Sequence, residues 1–223
     1  MTEEDLVERH PLLWHMAEDG SWPGIRKHGL LSTAALLDLY QVGGEQRTQI
    51  VSRRRPRSVA IKRAELPDAV VRDQKPMNDD ALAKCLKDGI TPERWYEILN
   101  AKTFFWVSRS RLDKLLQARA YRGKPQVVLT VLTRSLVETN RDRILLSPIN
   151  SGATLYIPQA RGLDTFRSMA DFPYDDIRKQ RSGRDPIVEL VVEGGVPDVA
   201  AHVMMVERVV GAMSTVIWER QVS

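Results

Sequence analysis

Glu189 interrupts the apolar run IVELVV, residues 187–192. A carboxylate in such a strand must lie on a face that is wet or bound to something, because burying it alone is costly. There it can take or give a proton, or steady a developing cation. An ordinary outward position is the alternative, and strand alternation allows it, since Val188, Leu190 and Val192 take the other face. Glu193, beside a Gly-Gly turn and solvent-facing, and Glu207, near the end of the last strand, compete for the role. A second stretch, FFWVSRSRL (104–112), sets Arg109 and Arg111 directly after a buried-looking run. It fits a strand delivering a cation into a cleft, and equally a strand end turning toward water. His15, between Trp14 and Met16, reads as a hydrogen-bonded structural residue or as a cleft residue. Asn150, Ser151, Gly152 and Thr154 lie in INSGAT, which suits either a tight connection, since Asn and Gly favour positive φ, or a loop that touches substrate.

Several chemistries have no support. There is no GxxxxGK[ST] loop, no GxGxxG after a strand and no GxSxG elbow. The four histidines form no HExxH and have no cysteine partners, so no metal is expected. The single cysteine excludes an internal disulfide framework and fits a reducing cytoplasm. The first ten residues are acidic and polar, unlike a signal peptide. No apolar run approaches the roughly 20 residues a bilayer requires, so no membrane association is expected. The net charge is +4. Much of the basic excess sits in RRRPR (53–57) and RKQRSGR (178–184), which read as solvated loops or as phosphate contacts.

The elements that would position these groups follow from local signals. Residues 3–19 read as helix or helical turn around Pro11, with LLWHM a short strand. SWPGIRKHG has the marks of a helix, with Ser21 as cap, Pro23 in the first turn and Gly29 as stop. Residues 33–40 predict another, capped by Ser32 or Thr33. Residues 41–58 predict a mobile loop. Two helices follow, over DDALAKCLKDG and over TPERWYEILN, the latter capped by Thr91 with Pro92 first. KTFFWVS and PQVVLTVLT predict strands around a helix from Ser110 to Gly123, and later strands are expected within RDRILLSPINSGATLYIP, in PIVELVVEG and finally near HVMMVERVVG. Helices dominate the first half and strands the second, which predicts one α+β domain over residues 1–223.

The segments around these residues, taken in order, resemble the ADP-ribosyltransferase superfamily, most closely the DarT-like transferases that modify DNA bases. The pattern is an aromatic, His15, then W-P-x-I-x-x-H-G-L-L-S; an aromatic strand running into Arg109-Ser110; the turn holding Asn150, Ser151, Gly152 and Thr154; and a basic stretch before the strand with Glu189. Residues 41–101 hold a loop and helical insertion with no counterpart in that family, and Arg111 stands where a smaller residue is usual. The resemblance implies a split, mostly antiparallel sheet with peripheral helices. It implies NAD as substrate, with no metal, and transfer of ADP-ribose through an oxocarbenium-like state, much as in glycosidases.

On this reading Glu189 and Arg109 are catalytic, Arg109 pairing with the pyrophosphate or a carboxylate. His15 hydrogen-bonds the adenosine ribose, Ser110 takes part in binding, and Phe105 or Trp106 walls the nicotinamide; Tyr156 reads as core packing or as another wall. Asn150, Ser151, Thr154 and Arg111 contact substrate. DNA or RNA is the acceptor the basic loops suggest, and a reversing hydrolase or an antitoxin is the implied partner. Two alternatives stay open: a nucleotide- or partner-binding module of the same fold that has lost catalysis, and an RNA 2′-phosphotransferase-like enzyme, which would need several cleft arginines.

Overall fold

The computed structural model describes residues 1–155 and 157–221, so Tyr156 lies outside the described residues. The chain runs α1 (Glu3–Arg9), β1 (Leu12–Glu18), α2 (Trp22–His28), β2 (Leu30–Leu31), α3 (Thr33–Leu39), α4 (Gly44–Val51), β3 (Val59–Ile61), β4 (Ala69–Val71), α5 (Asp79–Cys85) and α6 (Pro92–Asn100). It continues through β5 (Lys102–Trp106), α7 (Arg109–Leu116), β6 (Gln126–Leu132), α8 (Thr133–Asn140), β7 (Ile144–Ser147), α9 (Tyr174–Gln180), β8 (Glu189–Glu193), β9 (Gly195–Val196), β10 (Val203–Val210) and β11 (Met213–Glu219). This is an α+β chain. No helix among the described residues is long and apolar enough to cross a membrane.

A seven-stranded sheet in the order β11-β10-β6-β1-β5-β8-β7 organises the molecule, and each neighbouring pair in it is antiparallel. Between β10 and β1 lies β6, QVVLTVL, whose β-branched side chains are buried on both faces. One face packs Leu13, Phe105, Leu129, Val131, Leu190 and Val192 into the main core. Helix α7 covers the other, setting Leu112 and Leu116 against Val128 and Val209, with Trp14, Met16 and Trp106 beside them.

The sheet is nearly interrupted. β1 and β6 align over seven residue pairs, from Leu12↔Leu132 to Glu18↔Gln126, whereas β1 and β5 meet at one, Trp14↔Trp106. Continuing that register would set Met16 opposite Phe104, and no such pair forms. The seam therefore leaves backbone groups on two facing strand edges to find other partners.

Side chains cap α3, α5 and α6 as their residue types suggest, but Ser21 does not cap α2: its backbone is already helical and its buried hydroxyl has no partner among the described residues. Ser32 accepts from the Ala35 N–H at 3.2 Å, Asn78 from Ala81 at 2.9 Å and Thr91 from Arg94 at 3.3 Å. Residues 41–58 are not a loop: α4 occupies their middle, and Arg55 locks the end of the segment down. Its Nε donates to the Arg72 carbonyl at 3.0 Å and its Nη2 to Asn100 Oδ1 at 3.0 Å, with Nη1 on the Ile50 carbonyl. At 7% exposure this arginine is an internal brace and no solvated phosphate contact. The insertion also contains an unforeseen hairpin of β3 and β4, which packs Ile61 and Val71 onto Leu37, Tyr40 and Ile50. Helices α5 and α6 build a separate cluster around Leu82, Trp95, Tyr96 and Leu99. Helix α7 stops at Leu116, well before Gly123, because tighter three-residue turns replace its ladder: the Ala118 N–H donates to the Leu115 carbonyl at 3.1 Å and the Tyr121 N–H to the Ala118 carbonyl at 2.8 Å. Finally, β10 is not the last strand, since β11 pairs with it at the sheet edge.

Gly195 joins the small β2–β9 pair to the main sheet. Its φ is +112°, and a Cβ there would stand 2.7 Å from the Leu30 carbonyl oxygen. Neither the angle nor the gap suits any other residue. Gly195→Ala is expected to cost about 2 kcal/mol or more, seen as a lower urea midpoint; a wild-type midpoint would show that this backbone relaxes freely.

Candidate functional site

The seam opens into a cavity of about 430 Å³, within the size range of small-molecule sites. Its lining includes His15, Phe104, Trp106, Asn150, Gly152 and Glu189, and the β3–β4 hairpin closes one side with Pro67, Val70 and Arg72. Residues 41–101 thus supply a wall of the cleft.

The seam also explains how His15 and Glu189 meet. Register sets His15 on the face of Phe105, whose ring centroid lies 5.8 Å away. Glu189 is paired across the strand with Trp106, on the opposite face. A continuous sheet would separate them; an interrupted one lets both reach one hollow. The edge carbonyls that the missing ladder frees are taken by cleft side chains. His15 Nδ1 donates to the Phe104 carbonyl at 2.8 Å, and Arg72 Nη1 to the Met16 carbonyl at 3.2 Å. Met16 and Phe104 are the two residues an unbroken register would have placed opposite each other.

A carbonyl oxygen only accepts, so Nδ1 carries the proton of the neutral ring and Nε2 is left as an acceptor. The ring is neutral at pH 7. Burial holds the His15 pKa down to about 4, with Arg72 adding repulsion, against the Phe104 hydrogen bond that favours the charged form.

Glu189 opens β8 and is 4% exposed. Ser151 clamps it: the backbone N–H lies 3.3 and 3.2 Å from the two carboxylate oxygens and Oγ donates to one of them at 2.7 Å. Burial pushes its pKa up to about 7, opposed by the Ser151 hydrogen bonds and by the charges of Arg161 and Arg111. A carboxyl poised near neutrality, in a cleft and hydrogen-bonded, has the properties of a general acid or base.

The other expected site residues divide. Trp106 and Asn150 line the cavity with His15 and Glu189. Ser151 acts on Glu189. Arg109 does not enter: the first residue of α7, it donates from Nη1 to Glu207 at 2.7 Å and from Nε to Asp113 at 2.9 Å. The same bonds occupy Glu207, which also accepts from Ser214 Oγ at 2.6 Å. Ser110 is exposed beside Ser108. Phe105 is fully buried in the main core and backs the imidazole, so strand alternation gives the wall to Phe104 and Trp106. Thr154 stitches the turn to the insertion, its Oγ1 accepting from the Asn78 N–H at 2.8 Å. Arg111 is exposed, outside the lining, though its charge is felt at Glu189. Glu193 is exposed and pairs with Lys102 at 3.3 Å.

Arg72, unanticipated, is the cleft guanidinium on this side of the molecule, 5.5 Å from the centre of the Tyr121 ring. Its signal was present in AVVRDQ: a charge directly after apolar residues, the arrangement that singles out Arg109.

A family model described as a family of unknown function (DUF7002) matches residues 11–203, which takes in every cleft residue named above. A comparison with curated proteins finds no match.

Proposed function

We propose, for a chain that belongs to the DUF7002 family of unknown function, that it cleaves NAD⁺ and transfers ADP-ribose to a macromolecular acceptor. The observation that carries this reading is the shared hollow: the His15 imidazole with a free acceptor nitrogen, and the Glu189 carboxyl poised near neutral pH, line one cavity with an aromatic wall between them. The single-pair join of β1 to β5 supports the split-sheet architecture that the reading requires.

NAD⁺ supplies a bond between C1′ of ribose and a cationic nicotinamide nitrogen, which breaks with the electron pair leaving on neutral nicotinamide. His15 Nε2 accepts a hydrogen bond from a ribose hydroxyl and fixes the sugar. Trp106 and Phe104 present flat apolar surface to the nicotinamide and keep water away from the carbon that becomes electrophilic. Glu189, ionised, stabilises the oxocarbenium-like state and takes the proton from the acceptor heteroatom as that atom bonds to C1′. Arg72 brings positive charge to the cleft for the pyrophosphate. It replaces Arg109, whose two carboxylate partners occupy it.

A nucleic acid is the acceptor class that the surroundings favour. Arg111, Arg178, Lys179 and Arg184 are exposed, and Arg111 is near enough to Glu189 to act on its charge. A 2′-phosphotransferase is less well supported, because among the described residues only Arg55 and Arg72 bring guanidinium groups to the cavity, and Arg55 is committed to Ile50, Arg72 and Asn100.

Purified protein incubated with NAD⁺ is expected to release free nicotinamide, and labelled NAD⁺ offered with DNA, RNA and protein pools is expected to leave label on nucleic acid. Binding of NAD⁺ without release would make the chain a nucleotide-binding module, and no binding would end the reading.

A further inference from the structure

Arg161 is among the largest fully buried side chains, 1% exposed, and no carboxylate lies within ion-pair distance of it among the described residues. An arginine so placed must be compensated from further away or by hydrogen bonds. Its Nη1 donates to the Ser151 carbonyl at 2.9 Å and its Nε to the Gln159 carbonyl at 3.1 Å. Its own backbone is pinned at both ends, the N–H to the Cys85 carbonyl and the carbonyl to the Lys87 N–H, both at 2.9 Å. The guanidinium lies 6.0 Å from the centre of the Trp95 ring. Cys85 and Trp95 belong to α5 and α6, so the insertion is the platform on which this cation stands. Beyond Ser151, on the far side of that residue, is Glu189.

Resting on the reading of Glu189 as the catalytic carboxyl, we propose that Arg161 is a positioning residue for Glu189 and acts through Ser151. By holding the Ser151 carbonyl it fixes the residue whose N–H and Oγ both point at the carboxylate. It also supplies a buried positive charge toward which Glu189 ionises. The insertion at residues 41–101 thereby has two duties: its hairpin walls the cleft and its helices carry the cation behind the carboxyl.

The test follows the carboxyl directly and needs no turnover. In protein labelled with ¹³C at glutamate carboxyls, the Glu189 signal is identified by its loss in Glu189→Gln and followed through pH. In Arg161→Met and in Ser151→Ala the titration is expected to move up by about one pH unit or more. In Arg161→Lys, which keeps the charge and loses the planar fork, it is expected to stay close to wild type, while kcat for nicotinamide release falls several-fold and KM changes little. The acid limb of the release profile in Ser151→Ala shifts upward with the titration, whereas a merely structural loss would lower activity equally at every pH. A Glu189 titration unmoved in both Arg161→Met and Ser151→Ala overturns the proposal. Should Arg161→Met not fold, an Arg161→Lys protein matching wild type in kcat at every pH overturns it, and a selective kcat loss supports it. Absence of nicotinamide release from the wild type would refute the catalytic reading alone, leaving the titration to decide the role of Arg161.

Discussion

Glu189→Gln is expected to reduce nicotinamide release by about 10²–10⁴-fold, the range typical of a lost proton-transfer group, and to make the folded protein more stable at pH 8. Glutamine keeps the shape, and its carboxamide oxygen accepts from the Ser151 N–H and Oγ that now clamp the carboxylate. It does not place a charge in a buried site. In the native protein the Glu189 pKa is raised from 4.5 to about 7, so the folded state holds its proton more tightly than the unfolded chain does. The resulting stabilisation is full below pH 4.5 and is lost as pH climbs to 7, a difference of about 3 kcal/mol. The glutamine variant escapes that loss.

His15 works in the opposite sense. Its pKa is lowered from 6.5 to about 4, so stability is present above pH 6.5 and lost as pH falls toward 4. Between pH 4.5 and 6.5 the two slopes nearly cancel in the native protein. Glu189→Gln removes one of them, and its stability is expected to climb steeply over that window while the wild type stays flat. Urea unfolding at pH 5 and pH 8 measures both. A variant less stable than wild type at pH 8 would show that the carboxylate is a structural anchor, stabilised by Ser151 more than it is penalised by burial.

Trp95→Ala is expected to cost about 3–5 kcal/mol, the usual range for emptying a large aromatic site. Trp95 is completely buried. Its ring stacks on Phe166, with centroids 5.9 Å apart and planes 19° apart, and its other neighbours are Leu82, Tyr96 and Leu99. Because the Arg161 guanidinium rests against the same ring, the substitution is expected to disturb the cleft as well as the insertion. Trp95→Phe separates the two effects. It keeps an aromatic surface and deletes the indole N–H, which has no hydrogen-bond partner among the described residues, so its cost is expected to stay near 1 kcal/mol. A melting curve for Trp95→Ala that overlays the wild type would mean that α5 and α6 contribute little to the folded state.

Much of this architecture was legible in the chain. The β-branched content of QVVLTVL marked a buried strand, and Thr91-Pro92 and Ser32 marked helix starts that the backbone bonds to Arg94 and Ala35 bear out. That His15 and Glu189 each lie on a strand followed from their apolar surroundings, although β5 stands between those two strands. What stayed hidden depended on partners far apart in the sequence. Nothing local in RRRPR reveals that Arg55 turns inward to Asn100. Nothing in SRSRL reveals that Glu207, 98 residues onward, captures Arg109. Phe104 and Phe105 are chemically identical, and only the register against β8 decides which faces the hollow. The hairpin of β3 and β4 is too short, at three residues a strand, to show an alternation at all.

The lone Trp14–Trp106 contact has a mechanical meaning. Prising a fully laddered pair of strands apart breaks a row of main-chain bonds at once, whereas past these tryptophans, among the described residues, one side-chain bond crosses the gap, from the His15 imidazole to the Phe104 carbonyl, while Arg72 holds the Met16 carbonyl from the β3–β4 hairpin. The sheet is therefore most compliant along this line, and its lowest-cost fluctuations are expected to widen the gap there. A guest bulkier than the resting void would be admitted by flexing the two halves about that tryptophan pair, with the rest of each half left intact.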